Sequence, residues 1–173
     1  MTGFFTYHCV NIAGMNVQEL LIQPIVFLPP ANALEGLSSA DAERRVNGVN
    51  HSIAEIVAHM SFWQDWFRQR CDGLPAPMAG KAAEGWPEVT PGSWEEVRHT
   101  FLSGLNQLAM LGENASRLDA PIAPAIEFPP LAHYTRRDVL VHAGQHNAHH
   151  LGQIITLRQV MGHWPPPSGS YTW

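Results

Sequence analysis

A chain of 173 residues, 45% hydrophobic and 14% charged, suits a single domain with a sizeable core. A net charge of −5 offers no electrostatic footprint for nucleic acid, and the single lysine, Lys81, leaves no polybasic patch for a membrane surface. Two unpatterned cysteines, Cys9 and Cys71, give neither a disulfide framework nor a cysteine-rich zinc site, and no apolar run approaches the roughly 20 residues of a membrane span.

The opening MTGFFTYHCVNIAG lacks the basic and continuous apolar regions of a signal peptide, and Met15 precedes a helical start, so residues 1–14 are expected to be a disordered extension or the product of a misplaced start codon. The domain is then 15–173, in the cytoplasm. From Asn16 to Gly36 an apolar side of Val17, Leu20, Leu21, Ile25, Leu28 and Leu34 predicts helix. Pro24 and the Pro29-Pro30 pair interrupt it, which predicts a kink or two short helices.

Ser52-Ile53-Ala54-Glu55 is a capping box, with serine and glutamate each satisfying a free amide of the first turn. It predicts a helix to about Cys71, stopped at Asp72-Gly73. Measured around that helix from His59, the residues Ile56, Met60, Trp63, Trp66 and Phe67 fall within roughly 100° on the same side. Residues 73–92, with Trp86-Pro87 in their middle, form a connection long enough to suggest a functional loop. Ser93-Trp94-Glu95-Glu96 predicts another capping box and a helix to about Arg117, on Val97, Phe101, Leu105 and Leu108. After a second proline-rich connection, 119–134, Thr135-Arg136-Arg137-Asp138 predicts the start of a last helix ending near Met161. Gly162 and Pro165-Pro166-Pro167 stop it, leaving a proline-rich tail. Nothing reads as a strand. The pattern predicts an all-α fold, a four-helix bundle with long crossover loops.

The last helix carries four histidines within nine residues. His146 and His150, spaced i, i+4, fall in the core sector marked by Val139, Ala143, Ile154, Leu157, Val160 and Met161. His59 occupies the centre of the earlier stripe. A neutral imidazole in a core must find hydrogen-bond partners, and any one of these rings could do so within the protein. Three aimed inward from two helices have too few partners in an apolar core, whereas one metal ion satisfies all three. The expected ligands are therefore His59, His146 and His150, leaving positions open for water or substrate. Zinc, nickel and iron all suit imidazole.

His142 and His149 lie at the edge of the sector; His142 could be an outer-sphere donor or merely a surface group, and His149 a rim or helix-contact residue. Gln153, one turn beyond His150, could bond a ligand or a bound water, and Glu55 could do the same for His59, although a solvated carboxylate is its simpler role. Trp63 is the tryptophan placed to wall the pocket; the others are taken as core or tail packing. No residue is assigned as catalytic acid or base.

HSIAEIVAHMSFWQDW followed by HNAHHLGQIITLRQVMGHWPP resembles the DinB-like superfamily of bacterial four-helix metalloproteins. The resemblance extends from about Asn16 to Trp173 and is specific at the second and fourth helices. It implies an up-down-down-up bundle, a homodimer, and a divalent metal held by one histidine of the second helix and the H-x-x-x-H pair of the last, which are His59, His146 and His150 here. Characterised relatives include metal-dependent transferases and isomerases that use low-molecular-weight thiols such as bacillithiol, mycothiol or glutathione. The resemblance thus implies a thiol co-substrate and a small-molecule substrate, with no nucleic acid or membrane partner. The alternatives are a metal-dependent hydrolase activating water at the same site, which would want a carboxylate such as Glu55, and a non-catalytic metal-binding sensor or structural bundle.

Overall fold

The computed structural model describes residues 17–22 and 27–170. The expected extension at 1–14, residues 16 and 23–26 of the first segment, and the final Tyr-Thr-Trp lie outside the described residues. The described chain is helical: α1 (Glu19–Ile22), α2 (Pro30–Ala33), α3 (Ser39–Ala42), α4 (Ile53–Cys71), α5 (Trp94–Met110), α6 (Ala115–Leu118) and α7 (Arg136–Met161). Among the described residues there is no strand, only an isolated bridge between Pro121 and Thr135. No described helix is long and apolar enough to cross a membrane.

In the first segment residues 27–29 are not helical and α2 starts at Pro30, the break expected at Pro29-Pro30, while Pro24 lies outside the described residues. Pro30 opens α2 at a position where a missing N–H costs nothing. Downstream, Gly36 adopts φ +72, and a Cβ there would lie 2.8 Å from Pro167 of the returning tail. Only glycine combines that backbone with so close an approach.

The helices that carry the histidines both begin with a complete capping box. At α4, Ser52 Oγ accepts from the Glu55 amide at 3.2 Å and Glu55 Oε2 accepts from the Ser52 amide at 2.7 Å. At α7, Thr135 Oγ1 accepts from the Asp138 amide at 3.2 Å and Asp138 Oδ2 from the Thr135 amide at 2.8 Å. Gly162 closes α7 in the left-handed conformation, φ 77.

The capping box expected at Ser93 does not form. Ser93 has φ −89, ψ 8 rather than an extended backbone, and its hydroxyl donates to the Thr90 carbonyl at 2.6 Å. Glu95 and Glu96 still place negative charge at the positive end of α5. Nor does α5 reach Arg117. It ends at Met110 because the chain tightens into a turn at Gly112, where a Cβ would lie 2.6 Å from Gln18 Oε1.

α4 is the central element, packed against both α5 and α7. It runs antiparallel to α7. His59 lies against His146 and His150, Phe67 packs on His142 at 4.9 Å between ring centroids, and Arg136 Nη2 donates to the Cys71 carbonyl at 2.6 Å. Met60, Trp94, Phe101, Leu108, Leu151 and Ile154 are buried between the helices, the apolar burial that holds such bundles together. Val160 is the exception among the core residues expected on α7: at 66% exposed it lies on the solvent side of the last turn.

Cys71 ends α4 in this core, and burial pushes its thiol pKa up to about 11. A thiol held protonated is a poor nucleophile. In a Cys9→Ser variant, Cys71 is expected to react with a disulfide reagent at pH 8 at least about 100-fold more slowly in the native protein than after denaturation. Equal rates would refute its burial.

Candidate metal centre

Three imidazoles meet where α4 crosses α7. His146 Nε2 lies 3.2 Å from His59 Nε2 and 3.2 Å from His150 Nε2, and the candidate donor atoms of the three lie within 4.8 Å of one another. His59 and His150 are buried and His146 is half-buried.

The tautomers follow from the partners behind the rings. His59 Nδ1 lies 2.6 Å from the Gly85 carbonyl, which can only accept, so Nδ1 carries the proton and Nε2 a lone pair. His150 Nδ1 lies 2.8 Å from Gln153 Oε1, which fixes the same tautomer, while Gln153 Nε2 donates to His149 Nε2 at 3.2 Å. Two lone pairs thus point toward His146 Nε2, where one proton could satisfy only one of them fully. A cation satisfies all three. In a tetrahedral site with bonds of 2.0–2.1 Å, neighbouring nitrogens stand about 3.3 Å apart, close to two of the separations seen here. The three residues could therefore hold a metal ion.

Burial favours the ligating form. It is the largest cause lowering the pKa of His59, His142 and His150, and it takes His146 down to about 3, with the neighbouring histidines adding to the effect. Neutral imidazole is the state that binds metals.

The long connection 73–92 contributes more than sequence reasoning assigned to it. Its short 3-10 helix, Ala82–Gly85, delivers the Gly85 carbonyl to His59. Trp86, read from sequence as a packing residue, stacks on the His59 ring with centroids 3.9 Å apart and planes at 11°. His51, immediately before the α4 capping box, stacks on the other face of Trp86 at 3.7 Å and 10°. Helical periodicity could not find this sandwich because Trp86 lies in a loop. The available signal was the unusual length of that loop.

The remaining candidates separate. Trp63 meets His59 edge-on at 6.5 Å and lines an apolar cavity of about 410 Å³ with Phe67, Phe128, Leu131 and His146. His142 lies on the same wall, its Nδ1 paired with the Tyr134 hydroxyl at 2.8 Å. His149 and Gln153 lie on the opposite side, lining a wider cleft of about 680 Å³ with His51, Trp86 and His150. Glu55 does not serve the site: one carboxylate oxygen closes the capping box and the other pairs with Arg45. The capping box expected at Ser52 takes up the carboxylate, and its alternative role behind His59 is not seen.

These features define an all-α bundle that brings a three-histidine cluster, able to hold a metal ion, to the crossing of two antiparallel helices. The DinB superfamily model matches residues 31–154, and the chain belongs to that superfamily. No curated protein and no solved structure matches the chain.

Proposed function

We propose that the protein is a metal-dependent enzyme, a transferase or isomerase using a low-molecular-weight thiol, with His59, His146 and His150 as the ligands of a divalent zinc, nickel or iron ion. The observation that carries this proposal is the orientation of two imidazoles by Gly85 and Gln153, so that lone pairs converge beside a cavity sized for a small molecule. The ion, when bound, supplies positive charge that favours the thiolate form of a thiol at neutral pH. The chain's residues hold and orient: Trp86 stacks on His59 and Gln153 pairs with His150, while Trp63 and Phe67 give the cavity side an apolar wall. A hydrolase would want a carboxylate near the site, and no Asp or Glu is found among the described residues lining either the cavity or the wider cleft. Thiol chemistry is favoured for that reason. In the cell the enzyme would work in the cytoplasm as a homodimer.

The test is metal content of the purified protein, followed by conjugation of electrophiles with a panel of low-molecular-weight thiols. One stoichiometric metal and thiol-dependent turnover are expected. Turnover of esters or amides that survives removal of all thiols would overturn the transferase in favour of a hydrolase. Metal with no turnover on any substrate, and unfolding on its removal, would make the bundle a structural or sensory one. Gln153 offers a finer check. Gln153→Leu removes the acceptor behind His150, and metal affinity is expected to fall about 10–100-fold in a chelator competition, with Gln153→Glu restoring most of it. Unchanged affinity in Gln153→Leu would show that the imidazole needs no such support.

A further inference from the structure

The cavity of about 410 Å³ beside His146 has an apolar wall, and no carboxylate, ammonium or guanidinium is found among the described residues lining it. Gln64 and Asn147 also touch it, but their amide atoms are sealed inside the packing. Trp63 turns its indole nitrogen to Gly85, where a Cβ would lie 3.1 Å from Nε1. His146 commits its Nε2 to the three-histidine cluster. His142, one turn earlier on α7, lines the cavity and takes no part in that cluster.

Two neighbours hold the His142 ring. Phe67 packs on it with centroids 4.9 Å apart, and the Tyr134 hydroxyl lies 2.8 Å from Nδ1. Burial keeps this imidazole neutral by lowering its pKa. A phenol O–H is the stronger donor of the pair and an imidazole nitrogen the stronger acceptor, so Tyr134 donates to Nδ1 and Nε2 carries the ring proton. Tyr134 does not line the cavity, so the ring meets it with the edge that Tyr134 leaves free, which carries Nε2. That N–H has no partner among the described residues and, unlike the two amides, is not sealed in the packing.

We infer that His142 is the ligand-binding donor of this cavity: its Nε2–H holds the carbonyl oxygen of a neutral molecule with an apolar, ring-sized body, and Tyr134 is the positioning residue that sets its tautomer. A cavity of this volume suits such a body. A charged group would enter without a countercharge, at a large desolvation cost, and a hydrocarbon would leave the N–H unpaired. Placing this molecule as the substrate of the thiol chemistry rests on the metal-site proposal above; its binding in the cavity does not.

The experiment uses full-length protein as purified, ¹⁵N-labelled at histidine. Acetophenone is the probe, and ethylbenzene, the same body without the oxygen, is the comparison. Acetophenone is expected to saturate and to shift the Nε2 signal of His142 well beyond the effect of ethylbenzene. In His142→Phe its affinity is expected to fall about tenfold while that of ethylbenzene changes by less than about twofold, since the carbonyl alone loses a partner. Tyr134→Phe keeps the imidazole, so its effect is read in the spectrum: Nδ1 is expected to take up part of the ring proton, and acetophenone to bind about threefold more weakly with ethylbenzene unchanged. The wild-type and Tyr134→Phe readings decide the matter if His142→Phe does not fold. The inference is overturned if acetophenone fails to saturate, if the Nε2 signal moves no further than with ethylbenzene, or if His142→Phe affects both ligands alike. A Tyr134→Phe spectrum identical to wild type would overturn the role given to Tyr134. Metal content measured on the same samples separates the two proposals: acetophenone binding that depends on His142 in protein without metal removes the metal site, and metal without that dependence removes this one.

Discussion

Replacing His146 with alanine is expected to lower metal affinity by well over 100-fold while leaving the bundle folded. His146 Nε2 is 3.2 Å from the donor atoms of both other histidines, so its loss leaves a pair without the atom that both approach. Loss of an outer-sphere partner costs 10–100-fold in comparable sites, and loss of a ligand should exceed that. The fold should survive because His146 is half-buried beside a cavity and the main core residues lie elsewhere. Metal analysis together with a thermal melt of the metal-free protein decides the matter. Full metal content in His146→Ala would refute its role as a ligand.

The same substitution has a signature in acid. The folded protein holds His146 at a pKa of about 3 against an ordinary 6.5, so the unfolded chain binds the proton first as pH falls. Stability from this group is present above pH 6.5 and is lost progressively as pH drops from 6.5 toward 3. Metal-free wild-type protein should therefore lose melting temperature across that window, and His146→Ala should lose less. Parallel curves for the two proteins would show that the imidazole is not held neutral by its surroundings.

The convergence of His59, His146 and His150 was legible because each helix states its inward face locally. The i, i+4 pair and the stripe around His59 need only the helical period, and the capping boxes at Ser52 and Thr135 set the frame in which that period runs. What surrounds the rings was not legible. Gly85 and Trp86 reach His59 from a loop more than twenty residues away in sequence, and no periodicity places a loop carbonyl behind an imidazole. Glu55 illustrates a different limit. Its spacing suited both a capping box and a place beside His59, and the hydrogen bond at the helix start won. Ser93 shows that a capping motif needs extended backbone at the cap as well as the right side chains.

A second large effect is expected at the far end of α7, where Arg158 is 2% exposed. Its Nη1 donates to the Ala33 carbonyl at 2.6 Å and its Nε to the His163 carbonyl at 3.0 Å. Ala33 is the last residue of α2, so the guanidinium meets a carbonyl at a helix end, where a cation is favoured. By holding His163 as well, it fastens the returning tail to the first segment, beside the bond from Asn32 Nδ2 to Ser168 Oγ at 2.9 Å. Arg158→Met keeps the volume but leaves two carbonyls without their charged donor. With charged hydrogen bonds worth about 1.5–3 kcal/mol each, and some return from no longer burying a charge, a net loss of about 3 kcal/mol is expected. For a domain of this size that is a fall of roughly 6–12 °C in melting temperature. Arg158→Lys should recover less than half of it, because one ammonium cannot reproduce the planar fork that serves two separate carbonyls. Metal content below the melting transition should not change, since both hydrogen bonds tie α7 to α2 and the tail, away from the three imidazoles. A melting temperature within 2 °C or so of wild type in Arg158→Met would show that the clamp contributes little to stability. Loss of metal in a still-folded variant would instead show that the clamp sets the position of His150 along α7.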